Sequence, residues 1–333
     1  MNIAIVLNNI LPAQTYGGTE RVIWGLAKAL STMGHKVSLI CGKGSRVPFA
    51  QVIERDPSLP LERQIPADAD VVHFQENAPD NFQKPYIITC HGNRIALAER
   101  QRSMSVYVSR NHAERHGCSA FVHNGLDWSA YPSPAELPPM RSRCGFHFLG
   151  KAAWRAKNVK GAINVALKAS DETIRLRVLG GDRLCLKMGF RLTLSPRIRF
   201  HGMVTDTEKA RIILNSRGLI FPIRWHEPFG LAVTESLYLG APVFATPYGS
   251  MPELITPEVG FMCADSNEMA AHIRECGGDY SPSRCHEYAA TLFSAEAMAR
   301  NYLKLYEQAA NGLPLNTMMT PPEADPMARL PWQ

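Results

Sequence analysis

Two glutamates in one segment offer the clearest chemistry in the sequence. Glu227 and Glu235 stand eight positions apart within WHEPFGLAVTESLYLGAPVFATPYGSMPELI, residues 225–255, directly after the apolar run LIFPI. A carboxylate is a strong acceptor for pairs of hydroxyl groups, so each glutamate is a candidate to hold a ligand rich in hydroxyls. The plainer alternative is that Glu227 serves a helix N-terminus and Glu235 lies on a solvated helix face.

The residues after Glu227 indicate an anion site. A helix that begins near Phe229 or Gly230 points its free amides and the positive end of its dipole at this turn, which suits a diphosphate. Gly230 lets backbone and ligand approach closely. The sequence therefore predicts that Phe229, Gly230 and Leu231 face a phosphorylated ligand.

This segment resembles the signature of glycosyltransferase family 4. The resemblance rests on two glutamates with seven residues between them, embedded in EPFGL and followed by GAPVFAT and a Pro-Glu after a glycine turn. It implies a GT-B fold, in which two Rossmann-like, doubly wound parallel-sheet α/β domains face a cleft. It also implies a retaining transferase that needs no metal or other cofactor and uses a nucleotide-sugar donor, with a UDP-sugar favoured. In that family the first glutamate lies at the donor sugar and the second holds ribose hydroxyls.

Two lysines fit the family's cationic pair, which grips the donor diphosphate in place of a metal ion. FLGKAAWRAKNVKGAI, residues 148–163, is similar to the family's strand, Gly-Arg turn and Lys-Gly helix start. Lys157 matches the lysine, although Asn158 replaces the following glycine. Lys151 stands where an arginine is usual and lacks its bidentate fork, so Arg155 is a possible substitute. The alternative is a set of solvated lysines at a helix start.

Two motifs of the first half match the family less specifically. In TYGGTERVIWGLAKAL, Gly17 and Gly18 precede a helix, where the family has a Gly-Gly loop facing donor phosphates and acceptor; a plain tight turn is the alternative. Arg21 occupies the position of the third glycine in a dinucleotide-binding fingerprint, which argues against a dehydrogenase. His91, in ITCHGNR, stands where the family has a histidine near the donor sugar, and a structural histidine is the alternative.

Two further turns complete the predicted donor site. LGGD (179–182) and FHGMV (200–204) resemble the family's glycine-rich turn and the strand end whose backbone reads the base. Gly202 and Met203 are therefore the candidates for the base pocket, with a buried core methionine as the alternative for Met203. VHNGLD (122–127) matches a turn that ends the family's N-terminal domain and is interpreted as architectural.

Apolar, β-branched runs place these motifs at the ends of strands. The runs are continuous rather than alternating, which is typical of parallel strands covered on both faces. Helical stretches such as 19–33, 159–169 and 230–239 separate some of the runs. The predicted strands are 2–7, 37–41, 71–74, 86–90, 106–109 and 120–123 in the first half, and 146–149, 175–179, 198–201, 219–222 and 242–245 in the second.

Proline marks the predicted domain boundary. YPSPAELPPM, residues 131–140, holds four prolines and excludes regular helix or central strand. The sequence predicts an acceptor-side domain over 1–140 and a nucleotide-sugar-binding domain over 141–294. The last helix and the tail, 295–333, are predicted to pack back on the first domain.

Composition restricts the partners only loosely. The net charge of +6 and the pI near 8.9 permit contact with nucleotide phosphates, glycolipid or an anionic membrane without selecting among them. Five arginines between Arg94 and Arg115 face either an anionic surface or solvent. Eight cysteines without metal-ligand spacing and an N-terminus without a signal-peptide pattern predict a cytoplasmic protein, peripheral to the inner membrane at most. No aromatic-rich basic motif suggests nucleic acid.

The function predicted is transfer of a sugar from a nucleotide sugar to a hydroxyl of a glycan, lipid-linked or small-molecule acceptor. The sequence leaves open the sugar, the base, the acceptor and the oligomeric state. It also leaves open a nucleotide-sugar epimerase or phosphorolytic enzyme on the same fold. A nonenzymatic nucleotide-sugar-binding protein is a further alternative.

Overall fold

The chain forms two compact units. A computed structural model describes all residues except 14–16, 95, 134–136, 170–173, 183–193, 324 and 326. The first unit contains residues 1–128 and 292–326, and the second contains residues 129–291 and 327–333. The first unit thus ends before the predicted boundary at residue 140, and Tyr131 of the predicted linker already donates to Glu235 of the second unit.

A six-stranded parallel sheet forms the centre of the first unit. Its strands lie in the order β3-β2-β1-β4-β5-β6, the doubly wound order of a Rossmann-like domain. Central strands such as β5 are buried along their whole length, as continuous apolar runs require. The strands are β1 (Asn2–Val6), β2 (Lys36–Cys41), β3 (Gln51–Glu54), β4 (Val71–Phe74), β5 (Tyr86–Cys90) and β6 (Ser105–Tyr107).

The helices of the first unit include the last helix of the chain. Tyr306 and Tyr302 reach the sheet from this helix and bond the buried His73 and Thr89 through their hydroxyls at 2.8 Å. Residues 327–333 belong to the second unit. The sequence instead predicts that all of 295–333 packs on the first domain. The described helices are α1 (Gly18–Thr32), α2 (Glu99–Ser103), α3 (Arg110–Arg115) and α10 (Ala295–Ala310).

The second unit repeats the same architecture. Its sheet has the order β12-β11-β10-β7-β8-β9, all parallel, which confirms the prediction of two Rossmann-like, doubly wound domains. The strands are β7 (Phe146–Leu149), β8 (Leu176–Leu179), β9 (Ile198–Phe200), β10 (Leu219–Phe221), β11 (Val243–Ala245) and β12 (Gly260–Met262). The described helices are α4 (Val159–Lys168), α5 (Asp206–Leu214), α6 (Leu231–Tyr238), α7 (Met251–Leu254), α8 (Ser266–Cys276) and α9 (Pro282–Leu292).

Three elements differ from the sequence prediction. Residues 120–123 do not form a strand, and Phe121 makes only an isolated bridge to Tyr107. The edge strand β3 was not predicted, because its polar ends and half-buried centre lack a continuous apolar run. The edge strand β12 was missed as well, since it has only three residues and begins with glycine.

The arginines between residues 94 and 115 bond largely within the first unit. Arg100 and Arg102 donate to backbone carbonyls of Phe82, His116 and Thr320. Arg115 forms an ion pair with Glu323 at 2.6 Å and is 9% exposed. The number of arginines here therefore does not by itself indicate a surface that binds anions. No described helix combines the length and the apolar composition that crossing a membrane requires.

Buried neutral histidines predict loss of stability in mild acid. Burial lowers the pKa of His73 in the first unit and of His147 in the second to about 3. An unfolded histidine has a pKa near 6.5, so between the two values the unfolded state binds more protons. The stability that these histidines contribute is fully present above pH 6.5 and is lost as the pH falls.

We expect the free energy of unfolding to fall by up to about 1.4 kcal/mol per pH unit per histidine below pH 6.5. Urea titrations between pH 7 and pH 4.5 measure this slope. The His147→Asn variant keeps a polar group beside Ser216 and Ser236 but cannot titrate. The unfolding free energy of the second unit should therefore fall less steeply with decreasing pH in this variant. An unfolding free energy independent of pH over this range would contradict the prediction.

Candidate active site

The strand order of the second sheet creates a crevice at its carboxyl edge. β7 and β10 are neighbours, and the chain leaves them in opposite directions along the sheet. At such a topological switch point the two following loops separate, and open α/β sheets bind ligands there. Lys157 lies in the loop after β7 and Glu227 in the loop after β10. The fold thus brings together two residues that are 70 positions apart in sequence.

Glu227 is a buried carboxylate with all its described bonds on one oxygen. Lys157 Nζ lies 2.5 Å from Oε2, and the indole Nε1 of Trp225 donates to the same oxygen at 2.8 Å. No residue that the structure describes bonds Oε1. A carboxylate fixed in this way retains acceptor capacity for a ligand's hydroxyls.

Aromatic rings surround the Lys157 ammonium. Its Nζ lies 5.2 Å from the ring centroid of Phe221, 5.3 Å from that of Trp225 and 5.5 Å from that of Trp154. Rings at such distances attract a cation and reduce its hydration. The two tryptophans also pack together, with centroids 4.4 Å apart. The arrangement holds a positive charge in a site of low polarity, where it interacts strongly with an incoming anion.

Hydrogen bonds between loops fix this pair in place. Asn158 has a left-handed backbone with φ 56°, caps α4 by accepting from Gly161 N–H, and donates from Nδ2 to the carbonyl of Pro222 at 2.8 Å. It stands where the resembled family has glycine, and asparagine tolerates this conformation. Arg224 N–H donates to Ala156 O at 2.7 Å. The loops after β7 and β10 are therefore bonded to each other.

The loop after β11 supports Glu227 from another side. Gly249 has φ 63°, and a Cβ at this position would lie 2.3 Å from Glu227 N and 2.4 Å from Glu227 O. Any other residue would displace the glutamate backbone. Ser250 N–H donates to Glu227 O at 3.0 Å, and its hydroxyl donates to Phe229 O. The predicted turn GSMPE thus acts as a support for the carboxylate.

The start of α6 has the geometry predicted for an anion site. Gly230 precedes the helix with φ 104°, a conformation that favours glycine, and no side chain in the described part of the protein caps the helix. Leu231 is the first helical residue and Phe229 is buried. The first amides of an α-helix have no partner within the helix. Gly230 and Leu231 therefore lie beside Glu227, and their backbone N–H groups have no partner among the described residues.

Glu235 lies on the next turns of α6 and is not on a solvated face. Its side chain is 10% exposed and pairs with Lys209 of α5. Tyr131 also donates to this carboxylate, at 2.6 Å. The predicted segment thus contains two buried glutamates, each bonded by one lysine and one aromatic donor.

The other predicted donor residues lie at the same edge with different surroundings. Lys151 is exposed at the start of the loop after β7 and forms no ion pair with any described residue. Gly202 uses both backbone groups inside the protein, donating to Gly181 O and accepting from Gly180 N. Met203 is 65% exposed and is not a core methionine. Of the two residues predicted to form the base pocket, Met203 therefore has more surface available to a ligand than Gly202.

The first unit holds the remaining predicted residues at the carboxyl edge of its own sheet. Gly17 and Gly18 start α1, and residues 14–16 of the same loop lie outside the described residues. His91 follows β5, and its Nε2 lies 2.7 Å from Gln75 Oε1, after β4. Burial lowers the pKa of His91 to about 4, so the ring is neutral at pH 7. A neutral ring can donate to Gln75 through Nε2.

Sequence reasoning missed four side chains of the site. Trp154 and Trp225 lie inside the quoted segments 148–163 and 225–255 but were assigned no function, because their role depends on the approach of β7 and β10. Lys209 and Tyr131 lie outside the predicted motifs, and only the packing of α5 and of residue 131 on α6 brings them to Glu235. Among the described residues, no three His, Cys, Asp or Glu side chains form a group suited to a metal ion.

Comparison with known proteins identifies the region that contains this site. Residues 143–279 match the family described as glycosyl transferases group 1. The match includes Lys157, Glu227, Glu235 and Lys209, and it excludes the sheet of the first unit. The structural site therefore lies inside the region that is similar to known transferases.

Solved structures and one curated protein show the extent of the similarity. AviGT4, a glycosyltransferase involved in avilamycin A biosynthesis, is 20% identical with a TM-score of 0.80, covering 93% of this chain and 98% of AviGT4. HepE of Anabaena in complex with UDP and glucose is 17% identical with a TM-score of 0.64, covering 92% and 99%. These likenesses confirm the predicted GT-B fold. An uncharacterized protein of the cps region of Klebsiella pneumoniae is 28% identical over 115 residues, 32% of each chain, so the match spans about a third of that relative.

Proposed function

We propose that the chain is a glycosyltransferase that moves a sugar from a nucleotide-sugar donor to an acceptor hydroxyl. The observation that carries this proposal is the Lys157–Glu227 pair at the switch point of the second sheet. A cation, a helix N-terminus and a carboxylate with one open oxygen lie within adjoining loops. These groups suit the diphosphate and the sugar of one ligand, and they lie in the region similar to group 1 transferases.

The donor diphosphate is bound by positive charge that is already in place. Lys157 and the amides at Gly230 meet the phosphates, and Lys151 reaches them from the start of the same loop as Lys157. As the bond from sugar to phosphate breaks, negative charge grows on the leaving diphosphate. Fixed donors that meet this charge lower the barrier, and such electrostatic stabilisation is commonly the largest catalytic contribution. The proposed reaction uses these cations and requires no divalent metal or cofactor.

Glu227 contacts the donor sugar through Oε1. The proposal, following the family resemblance, is a retaining reaction, in which the new bond has the configuration of the old one. Glu227 then either attacks the anomeric carbon or holds sugar hydroxyls while the acceptor attacks on the face of the departing diphosphate. The two roles predict different behaviour of a glutamine variant, described in the Discussion.

A UDP-sugar is the favoured donor, and the first unit is proposed to bind the acceptor. The HepE structure in complex with UDP and glucose supports the choice of base. His91, Gly17 and Gly18 are proposed to contribute to donor and acceptor binding, as the family resemblance implies. The proposed acceptor is a glycan, a lipid-linked sugar or a small molecule, in a biosynthetic pathway located in the cytoplasm.

The purified protein with radiolabelled nucleotide sugars tests this proposal. We expect slow hydrolysis of one donor and faster transfer when a suitable acceptor is added, both unaffected by chelator. The anomeric configuration of the product, read by NMR, should equal that of the donor. Conversion of the nucleotide sugar to its epimer without acceptor, or tight binding without turnover, would contradict the proposal.

A further inference from the structure

Lys209 is a buried cation outside the diphosphate site. It lies on α5, its side chain is 10% exposed, and its Nζ bonds Glu235 Oε1. Asp206, one turn earlier, lies 3.1 Å from the same ammonium but is 59% exposed. A lysine withdrawn from water loses hydration, and its pairing with a buried carboxylate offsets that cost. The contact with Glu235 is therefore the principal interaction of this lysine.

Tyr131 bonds the same oxygen. Its hydroxyl donates to Glu235 Oε1 at 2.6 Å, and its ring packs edge-on against Tyr238 with centroids 5.7 Å apart. The Lys209 ammonium also lies 5.9 Å from the Tyr131 ring centroid. Oε1 thus receives two donors, whereas no residue that the structure describes bonds Oε2. Two donors on one oxygen restrict rotation of the carboxylate and leave a single oxygen for a ligand.

We propose that Lys209 and Tyr131 are positioning residues that fix Glu235 through Oε1 and direct Oε2 to the vicinal hydroxyls of the donor's ribose. This inference rests on the proposed function, since it requires a nucleotide in the site. The Lys209 ammonium pairs with the Glu235 carboxylate, and a carboxylate accepts a stronger hydrogen bond than a neutral group does. Tyr131 and Lys209 therefore determine how strongly the site distinguishes a ribonucleotide from one without ribose hydroxyls.

Calorimetric titration of UDP and of 2′,3′-dideoxy-UDP tests this proposal. For the unmodified chain we expect UDP to bind about tenfold or more tightly, because a site built to bond hydroxyls rejects a ligand that lacks them. Tyr131→Phe removes one donor to Oε1 and should reduce the ratio of the two Kd values to about threefold. The matched control is Tyr280→Phe, whose lost hydroxyl bonds His272 in the same unit and whose ratio should not change.

A second variant addresses Lys209 without leaving an unpaired buried charge. Lys209→Met combined with Glu235→Gln removes both charges, and its ratio should approach one while UDP still binds. If Tyr131→Phe and the double variant both keep the original ratio, the proposal is overturned, even though UDP binds. A ratio of one in the unmodified chain overturns it as well. Absence of nucleotide binding in the unmodified chain instead contradicts the proposed function itself.

Discussion

Replacement of Lys157 by methionine is expected to lower kcat/KM by about 10²–10³. Methionine fits among Trp154, Phe221 and Trp225 but supplies no charge to the leaving diphosphate. The loss should appear mainly in kcat, because negative charge on the diphosphate is greatest in the transition state. Steady-state kinetics with a saturating donor measure the effect. Lys160→Met, an exposed lysine of α4, is the matched control and should retain normal turnover.

The double variant Lys157→Met, Glu227→Gln separates catalysis from stability. The single change leaves the carboxylate of Glu227 without its cation, and breaking a buried pair costs up to about 3–5 kcal/mol of stability. The double variant removes both charges and should regain stability in urea unfolding. It should not regain activity. Recovery of turnover together with stability would contradict the proposed roles of both Lys157 and Glu227.

Removal of the Glu227 carboxylate is expected to have an effect of similar or larger size. Glu227→Ala should lower kcat by about 10³ or more, because the group that contacts the donor sugar is lost. Binding of UDP alone should change little, since UDP lacks the donor sugar that Glu227 is proposed to contact. Donor kinetics and UDP calorimetry on the same preparation measure both quantities. Near-normal turnover of Glu227→Ala would contradict the proposed site.

Glu227→Gln distinguishes the two roles left open for this residue. Glutamine retains a hydrogen-bond acceptor but cannot form a glycosyl ester as a carboxylate nucleophile does. If Glu227 is the nucleophile, the glutamine and alanine variants should be equally inactive. If it only holds hydroxyls, the glutamine variant should retain measurably more activity. Trp225→Phe keeps an aromatic ring beside Lys157 but removes the hydrogen bond to Glu227 Oε2. We expect this variant to have lower activity whichever role Glu227 has.

The sequence predicts the fold and the main charged groups because both depend on local patterns. Continuous apolar runs indicate buried parallel strands, and the spacing of Glu227 and Glu235 places both at one strand-to-helix turn. The edge strand β3 escapes this reasoning because a strand with little burial needs no apolar run, and β12 escapes it because it has only three residues and begins with glycine. Residues 120–123 have the apolar composition of a strand, but only Phe121 pairs with its neighbour, Tyr107.

The missing parts of the site depend on contacts between distant residues. The bonds of Lys157 and Trp225 to a single oxygen of Glu227 require β7 and β10 to be neighbours. The pairing of Glu235 with Lys209 and Tyr131 requires α5, α6 and residue 131 to pack together. A periodic pattern records which residues are buried but does not record their partners. The alternatives of a solvated Glu235 and a core Met203 were wrong about burial itself, since Glu235 is buried and Met203 is 65% exposed.

The central claim is that Lys157 and the start of α6 bind the pyrophosphate of a nucleotide sugar. Calorimetric titration of UDP and UMP against the unmodified chain and Lys157→Met tests it most directly. The account predicts that UDP binds the unmodified chain about tenfold or more tightly than UMP and that Lys157→Met removes most of this difference. Equal affinities for UDP and UMP, or a difference that Lys157→Met leaves unchanged, would contradict it.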